Sequence, residues 1–366
     1  MKATILQKNF AKSLNAVSRI VATRTTLPVL GNILISVEKG KITFGATDLE
    51  VGISVEVSGK AESDGKITIP ARLLSDYVLN NNDESIALNL DALSLNLKSD
   101  RFEANIKGID ADEFPTIPEV SGKAFCNIKA SDLSGALKKV IIAAANDDTR
   151  PVLAGILLKF DKKTLVLAAT DSYRLAEAKI DLAEEIETKD VIIPLRTMNE
   201  LNRLLGSYVG EVNITLDENQ VFFLLGDIKI VSRLIEGNFP PYSQIIPASS
   251  KISVKVPLAD AVQAIKMSAL FSKDIANNIK VILAKEGMTI KSADSEAGNT
   301  TSQIKCDTGG GVIEIAFNAR YLLDVLGVLE GEEVTFNFND EVSPGVITSD
   351  KTKDYLYLAM PLKLDK

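Results

Sequence analysis

Histidine and tryptophan are absent from this 366-residue chain, and cysteine occurs only twice, at Cys126 and Cys306. Without histidine there is no imidazole to serve as general base, complete a triad or supply the commonest metal ligand. Carboxylate or lysine chemistry stays open. Two isolated cysteines give neither a disulfide scaffold nor a cysteine zinc site, and they point to a reducing, cytoplasmic compartment. No apolar run is long enough to span a bilayer, and residues 1–8 alternate like a strand, unlike the apolar core of an export signal. No membrane partner is expected. Positive charge is also short: 41 Lys and Arg face 49 Asp and Glu, and the net −8 argues against indiscriminate attraction to nucleic acid.

What is present is repetition. The strand-like segments Thr43 to Asp48, Val166 to Asp171 and Thr289 to Asp294 end on the same Asp, 123 residues apart each time. Arg72, Arg196 and Arg320 follow in step, each 124 residues after the last. Two markers in one register imply three copies of one unit, with expected domains 1–122, 123–248 and 249–366. About 122 residues per copy is the commonest domain size.

Each copy reads as strand, amphipathic helix, strands, second helix, strands. Phe10, Leu14, Val17 and Val21 recur at helical spacing, as do Leu133, Leu137, Val140 and Ile141, then Leu258, Val262 and Ile265. The second helix is expected to start at Pro70, Pro194 or Asn318. The predicted fold class is α+β, two helices packed on a mainly antiparallel sheet in each of three repeats. Proline-rich exits follow Phe114 and Phe239, whereas the third copy ends in Leu358, Ala359, Met360, Pro361 and Leu362.

The positive charge is segregated. Predicted helical windows 8–24, 70–82, 131–142, 194–206, 258–273 and 318–329 hold twelve Lys or Arg against five acids, so the remainder of the chain is strongly acidic. A basic helical layer inside an acidic protein suits phosphate binding, which depends on local potential. Ordinary solvated helix faces, with Arg72, Arg196 and Arg320 each paired to the acid four residues on, are the competing reading.

Other motifs carry less. The run Thr308 to Gly311 lacks the Gly-Lys-Ser/Thr ending of a phosphate loop and reads as a hairpin turn. Asp110, Asp112 and Glu113 lack the remaining ligands of a calcium loop, so neither a metal nor another cofactor is expected. Asp48, Asp171 and Asp294 read as turn formers at strand ends, and no catalytic residue is assigned.

The segments Leu27 to Leu34, Ala46 to Glu50, Ala169 to Leu175, Phe317 to Leu326 and Met360 to Leu364 closely resemble those of the bacterial DNA polymerase III β subunits, the sliding clamps. The resemblance is collinear over the whole chain. It implies a non-enzymatic, homodimeric ring that encircles duplex DNA without reading sequence and confers processivity on the replicative polymerase. Helices pack about 8–10 Å apart, so six lining helices would leave a hole of roughly 7 Å and twelve roughly 24 Å. A duplex needs two chains.

The resemblance places DNA contacts at Arg24 and Arg72, extended by internal repetition to Arg196 and Arg320 and through the basic helices to Lys138 and Lys273. It places dimer contacts at Phe102, Leu270 and Phe271. A cleft for short peptide motifs of polymerases, the clamp loader and repair or translesion polymerases is implied at Leu153, Thr170, Ser172, Tyr173, Arg174, Leu175, Pro240, Gln244, Ile245, Val342, Leu358, Met360, Pro361 and Leu362. Ser172 and Tyr173 stand where the family often has Gly and His, and Gln244 and Ala276 also depart from its pattern. A peptide-binding scaffold that never encircles DNA, and an enzyme built on the repeated Asp residues, are the competing classes.

Overall fold

The computed structural model describes residues 1–22, 26–120, 122–147, 149–272, 277–294, 298–352 and 354–363. The first repeat contains β1 (Lys2–Leu6), α1 (Gln7–Val17), β2 (Asn32–Glu38), β3 (Lys41–Thr47), β4 (Val51–Val57), β5 (Gly59–Ser63), β6 (Gly65–Pro70), α2 (Ala71–Asn80), β7 (Ser85–Asp91), β8 (Ser94–Lys98) and β9 (Glu103–Lys107). The second contains β10 (Cys126–Lys129), α3 (Ala130–Val140), β11 (Gly155–Thr170), β12 (Arg174–Pro194), α4 (Leu195–Leu205), β13 (Glu211–Leu216), β14 (Gln220–Leu225) and β15 (Ile228–Arg233). The third contains β16 (Ile252–Pro257), α5 (Leu258–Ala269), β17 (Asn278–Ala284), β18 (Gly287–Asp294), β19 (Gly298–Ile304), β20 (Ile313–Asn318), α6 (Ala319–Leu326), β21 (Glu333–Phe338), β22 (Gly345–Thr348) and β23 (Tyr355–Ala359). The predicted order recurs three times, and every ladder is antiparallel.

Contacts gather the chain into two compact bodies that cut through the second repeat: residues 1–131 with 196–234, and 132–195 with 235–366. In the first body a five-stranded sheet runs β5-β1-β7-β8-β9, and an eight-stranded sheet runs β10-β13-β14-β15-β4-β3-β2-β6. The longer sheet joins four strands of the second repeat to four of the first, through β15 on β4 (Ile228↔Val55 to Ser232↔Val51). Helix α1 lies on it, with Phe10 and Phe44 ring centroids 5.1 Å apart and Leu14, Val17, Ile33 and Ile53 fully buried. The second body has a six-stranded sheet, β11-β12-β23-β22-β21-β16, and a four-stranded one, β19-β18-β17-β20. Its crossing between repeats is β12 on β23 (Arg174↔Ala359 to Ala178↔Tyr355). The core there includes Phe317, Phe338, Tyr357 and Ile315.

Two details differ from the sequence expectation. The helices are shorter: α1 stops at Val17 and passes into a 3-10 turn over Ser18–Ile20, and α6 stops at Leu326 before Gly327. Pro70 is also the last residue of β6 and precedes the first helical position. In the third copy Asn318 replaces that proline with a working cap, its side-chain oxygen accepting the Arg320 N–H at 2.9 Å. The proline-rich stretch after Phe114 is docked. The Ile117 side chain lies on Gly45 and Gly52, and a Cβ on Gly52 would stand 2.9 Å from both Ile117 and Val231. Thr308 to Gly311 is a turn, with Gly309 and Gly310 at positive φ and the Gly311 N–H on the Thr308 carbonyl at 2.9 Å, but it is not the expected hairpin: it lies between β19 and β20, which sit on opposite edges of their sheet.

Candidate functional site

The repeated Asp builds the same turn twice. Asp48 accepts the N–H groups of Glu50 and Val51 at 3.0 and 2.8 Å, and Asp171 accepts those of Tyr173 and Arg174 at 2.9 Å each. Thr47 and Thr170 bridge the same turns through their hydroxyls. The residue after each Asp, Leu49 or Ser172, sits at φ 79°, a left-handed conformation that side chains disfavour. The turn after β11 thereby lifts Ser172 and Tyr173 to the surface and returns Arg174 and Leu175 to the sheet.

Against this turn lies a cavity of about 240 Å³ lined by Thr170, Ser172, Arg174, Leu175, Pro240, Pro241, Tyr242, Ile245, Leu358 and Met360. Eight of these are sequence-assigned cleft residues. The C-terminal segment reaches the cavity because the Met360 N–H bonds the Tyr173 carbonyl at 2.8 Å and the Leu362 N–H bonds the Ala316 carbonyl at 2.8 Å. Ile245 is 47% exposed, so an apolar wall faces solvent.

The remaining assignments fall outside this lining. Leu153 is buried, Gln244 and Val342 are exposed, and Pro361 and Leu362 are partly covered. Tyr173, 57% exposed, lines a neighbouring polar cavity of about 450 Å³ with Arg150, Asp171, Arg174, Arg320 and Asp324 among others.

Pro241 and Tyr242 escape the sequence reading, which treats Phe239 to Tyr242 as an exit segment. Tyr242 instead forms part of the cleft lining. Its ring meets Phe239 edge-on at 6.0 Å and packs on the cluster of Leu157, Ala168 and Ile192. Its hydroxyl donates to Glu177 Oε2 at 2.6 Å, and burial, then the Glu177 carboxylate, push its pKa up. The signal in the sequence is an aromatic on either side of a Pro-Pro pair, which anchors a segment as readily as it extends one.

Arg174 is buried, donating to Asp171 Oδ2 at 2.9 Å and Asp324 Oδ2 at 2.5 Å while stacking 4.4 Å over the Tyr321 ring. It braces the wall of the cleft. A buried guanidinium held by two carboxylates and a ring is geometrically fixed.

The basic residues divide into engaged and exposed sets. The described α-helices and their appended 3-10 turns carry ten Lys or Arg against five acids. Lys8, Lys12, Arg19, Lys138 and Lys266 are exposed, and so is Arg72, whose Nε is 3.8 Å from Asp76. Arg196 pairs with Asp48 and donates to the Ile20 carbonyl at 3.2 Å, which ties it to the β4–β15 joint. Arg320 is exposed at the start of α6. Arg24 and Lys273 lie outside the described residues. Among the described residues no group of His, Cys, Asp or Glu could hold a metal ion, and no helix is long and apolar enough to cross a membrane.

Each of the four sheets ends on edge strands; among them β9, paired on one side with β8, ends the five-stranded sheet of the first body, and β19, paired on one side with β18, ends the four-stranded sheet of the second. Phe102, just before β9, is 45% exposed, with the Arg101 guanidinium 5.3 Å above its ring. Leu270, just after α5, is 58% exposed, and Phe271 beside it is partly covered.

Three repeats of two helices with antiparallel sheet, sheets shared across repeat boundaries and a cleft beside the C-terminal segment define a DNA-clamp fold. Family models of the DNA polymerase III β subunit match in order: N-terminal domain at residues 1–118, central domain at 127–241 and C-terminal domain at 243–363. The β sliding clamp of Pseudomonas putida is 32% identical over 368 residues, covering all of both chains, and that of Staphylococcus epidermidis is 28% identical over 375 residues, covering 99% of each. The crystal structure of the Thermotoga maritima β subunit superposes with a TM-score of 0.93 at 28% identity, covering 100% of both chains. The Pseudomonas aeruginosa clamp bound to griselimycin gives 0.93 at 31% identity, again with 100% of both covered. The chain belongs to the bacterial DNA polymerase III β-subunit family, the β sliding clamps.

Proposed function

We propose that this chain is half of a homodimeric ring through which duplex DNA passes, a non-catalytic cytoplasmic factor that keeps the replicative polymerase on its template. The supporting observation is the match between two of its sheet edges, β9 and β19. Within the chain, the last strand of one repeat pairs with a strand of the repeat before it: β15 on β4, and β23 on the start of β12. By the repeat, β9 occupies the place of β15 and β23, and β19 that of β4 and β12. Unpaired edges are otherwise a liability. A second copy, head to tail, closes β9 on β19 twice over, as a heterologous interface does when its rotation completes a ring.

Phe102, Leu270 and Phe271 are the apolar groups of that joint. Leu73 on α2, 54% exposed, and Met267 on α5, 42% exposed, extend it. Arg72 and Lys138, with the exposed cations of α1, attract the phosphate backbone without reading bases, as movement along DNA requires. Arg24 joins them by family position, and Lys273 through the basic helical windows of the sequence. Arg196 serves chiefly to hold its joint together.

The cleft of Leu175, Pro240, Tyr242, Ile245, Leu358 and Met360 docks short apolar peptide motifs of polymerases, the clamp loader and repair proteins. A flexible Met in an apolar wall adapts to varied partners. Native mass and retention on nicked circular DNA test the whole reading. A dimer that stays on closed circles and runs off linear ones is expected; a monomer that leaves both refutes the ring.

A further inference from the structure

The frame of the docking cleft is built twice in this chain. At the open cleft Leu358 pairs with Leu175, and the Met360 N–H then bonds the Tyr173 carbonyl at 2.8 Å. At the first joint Val231 pairs with Gly52, and the Arg233 N–H bonds the Glu50 carbonyl at 3.0 Å. Leu49 stands at φ 79°, as Ser172 does, and is 46% exposed. Each exit segment reaches its joint in the same register, Phe114 and Pro115 answering to Phe239 and Pro240, and Ile117 to Tyr242.

The two joints differ in where the exit side chain goes. Tyr242 packs on Leu157, Ala168 and Ile192 and is tethered through its hydroxyl to Glu177 at 2.6 Å, and the cavity beside it stays open. At the first joint Gly45 and Gly52 stand where the open cleft has Ala168 and Leu175, and Ser54 stands in place of Glu177. Ile117 therefore meets no side chain at these two positions, and it has no hydroxyl to tether it aside. A methyl on Gly52 would lie 2.9 Å from both Ile117 Cγ2 and Val231 Cγ1, and one on Gly45 would lie 3.1 Å from Ile117 Cδ1. Ile117 fills the space between Val231 and the two bare glycines, as an apolar side chain of a docked peptide would.

We propose that the first joint is a second docking cleft for short apolar peptides, held shut by the chain's own Ile117. The inference rests on the peptide-docking reading of the open cleft. A segment tethered beside its site acts at an effective concentration in the millimolar range, so it outcompetes dilute free peptides. Glycine at position 52 is what the seated isoleucine requires, because any side chain there would meet it. The repeat thus builds two clefts per copy and leaves one open.

The test uses the full-length protein and a fluorescein-labelled ten-residue peptide carrying a Leu-Phe pair in a Ser/Gln background. Wild type should bind one peptide per chain, and Met360→Glu none. Ile117→Asp, whose carboxylate cannot remain against Gly45 and Gly52, should evict the segment and raise the count to two. Combined with Met360→Glu it should restore one peptide per chain, with a Kd within about ten-fold of the wild type's. Ile117→Ala should restore binding more weakly, since it loosens the segment without repelling it. Leu49→Asp, on the exposed rim, should remove the restored binding while leaving the open cleft's Kd within about two-fold. No added binding in either Ile117 variant, with cooperative urea unfolding retained, makes the segment ordinary packing and overturns the proposal. Added binding that survives Leu49→Asp overturns it too. If Ile117→Asp does not unfold cooperatively, Ile117→Ala decides by the same criterion. A wild type that binds no peptide overturns the open cleft and the closed one together.

Discussion

Leu270 offers a sharp test of closure, because a two-copy ring counts each joint residue twice. The side chain is 58% exposed in the single chain. Fully burying a Leu side chain contributes about 1.5–3 kcal/mol, so covering the exposed part of Leu270 contributes about 1–1.5 kcal/mol per joint. With two identical joints, Leu270→Ser in both copies should cost roughly 2–3 kcal/mol of dimerisation, or about 30- to 150-fold in Kd. A mixed dimer of one wild-type and one variant copy has one damaged joint and should lose only about the square root of that factor. Dilution series by mass photometry, with the two copies distinguished by a tag, measure both values. The urea midpoint of the monomer should hold, since Leu270 is exposed before assembly. Unchanged association of the variant, or a mixed dimer as weak as the doubly substituted one, refutes two equivalent joints.

Gly52→Ala should lower stability by about 1–3 kcal/mol in chemical unfolding, because the new methyl meets Ile117 and Val231 at 2.9 Å. Ser172→Gly should match or exceed wild-type melting temperature, whereas Ser172→Val should lose at least about 1 kcal/mol, since a branched side chain resists φ 79°. Met360→Glu should abolish peptide docking in fluorescence anisotropy while retention on circular DNA is kept. Reversing Arg72 and Lys138 to Glu should weaken that retention equally on all sequences and shallow its salt dependence by about one unit of log–log slope per lost phosphate contact. The Arg101 backbone N–H, then the Ser99 hydroxyl, hold the Asp83 carboxyl below its usual value. Its stabilisation is therefore present above about pH 4 and lost as pH falls through the depressed folded value. Asp83→Asn should flatten the acid limb of the unfolding midpoint, measured from pH 5 down to pH 2.

The triple repeat was legible because its markers, with Asp48 and Asp171 obeying a local turn chemistry and Arg72, Arg196 and Arg320 standing at helix starts, leave a linear trace. The sharing of sheets between repeats left none. Strand alternation in Ile228–Arg233 or Tyr355–Ala359 says which face is buried and nothing about which neighbour completes the ladder. The same limit explains Arg196. A basic residue at a helix start looks alike whether it faces phosphate or, as here, a carboxylate 148 residues earlier in the chain. Tyr242 was missed for the converse reason, a proline-flanked aromatic being read as part of an exit when its ring packs as cleft lining.

The exchange of strands between successive repeats also fixes what a fragment would do. A single repeat cut free at its proline-rich exits would carry both kinds of open edge, the β4 kind and the β9 kind, on one small body. Each such piece could receive one neighbour and donate to another without limit. In place of three tidy domains, proteolysis within the exits would release a self-complementary building block, with a six-membered circle as its closed product and an open fibre as its failure.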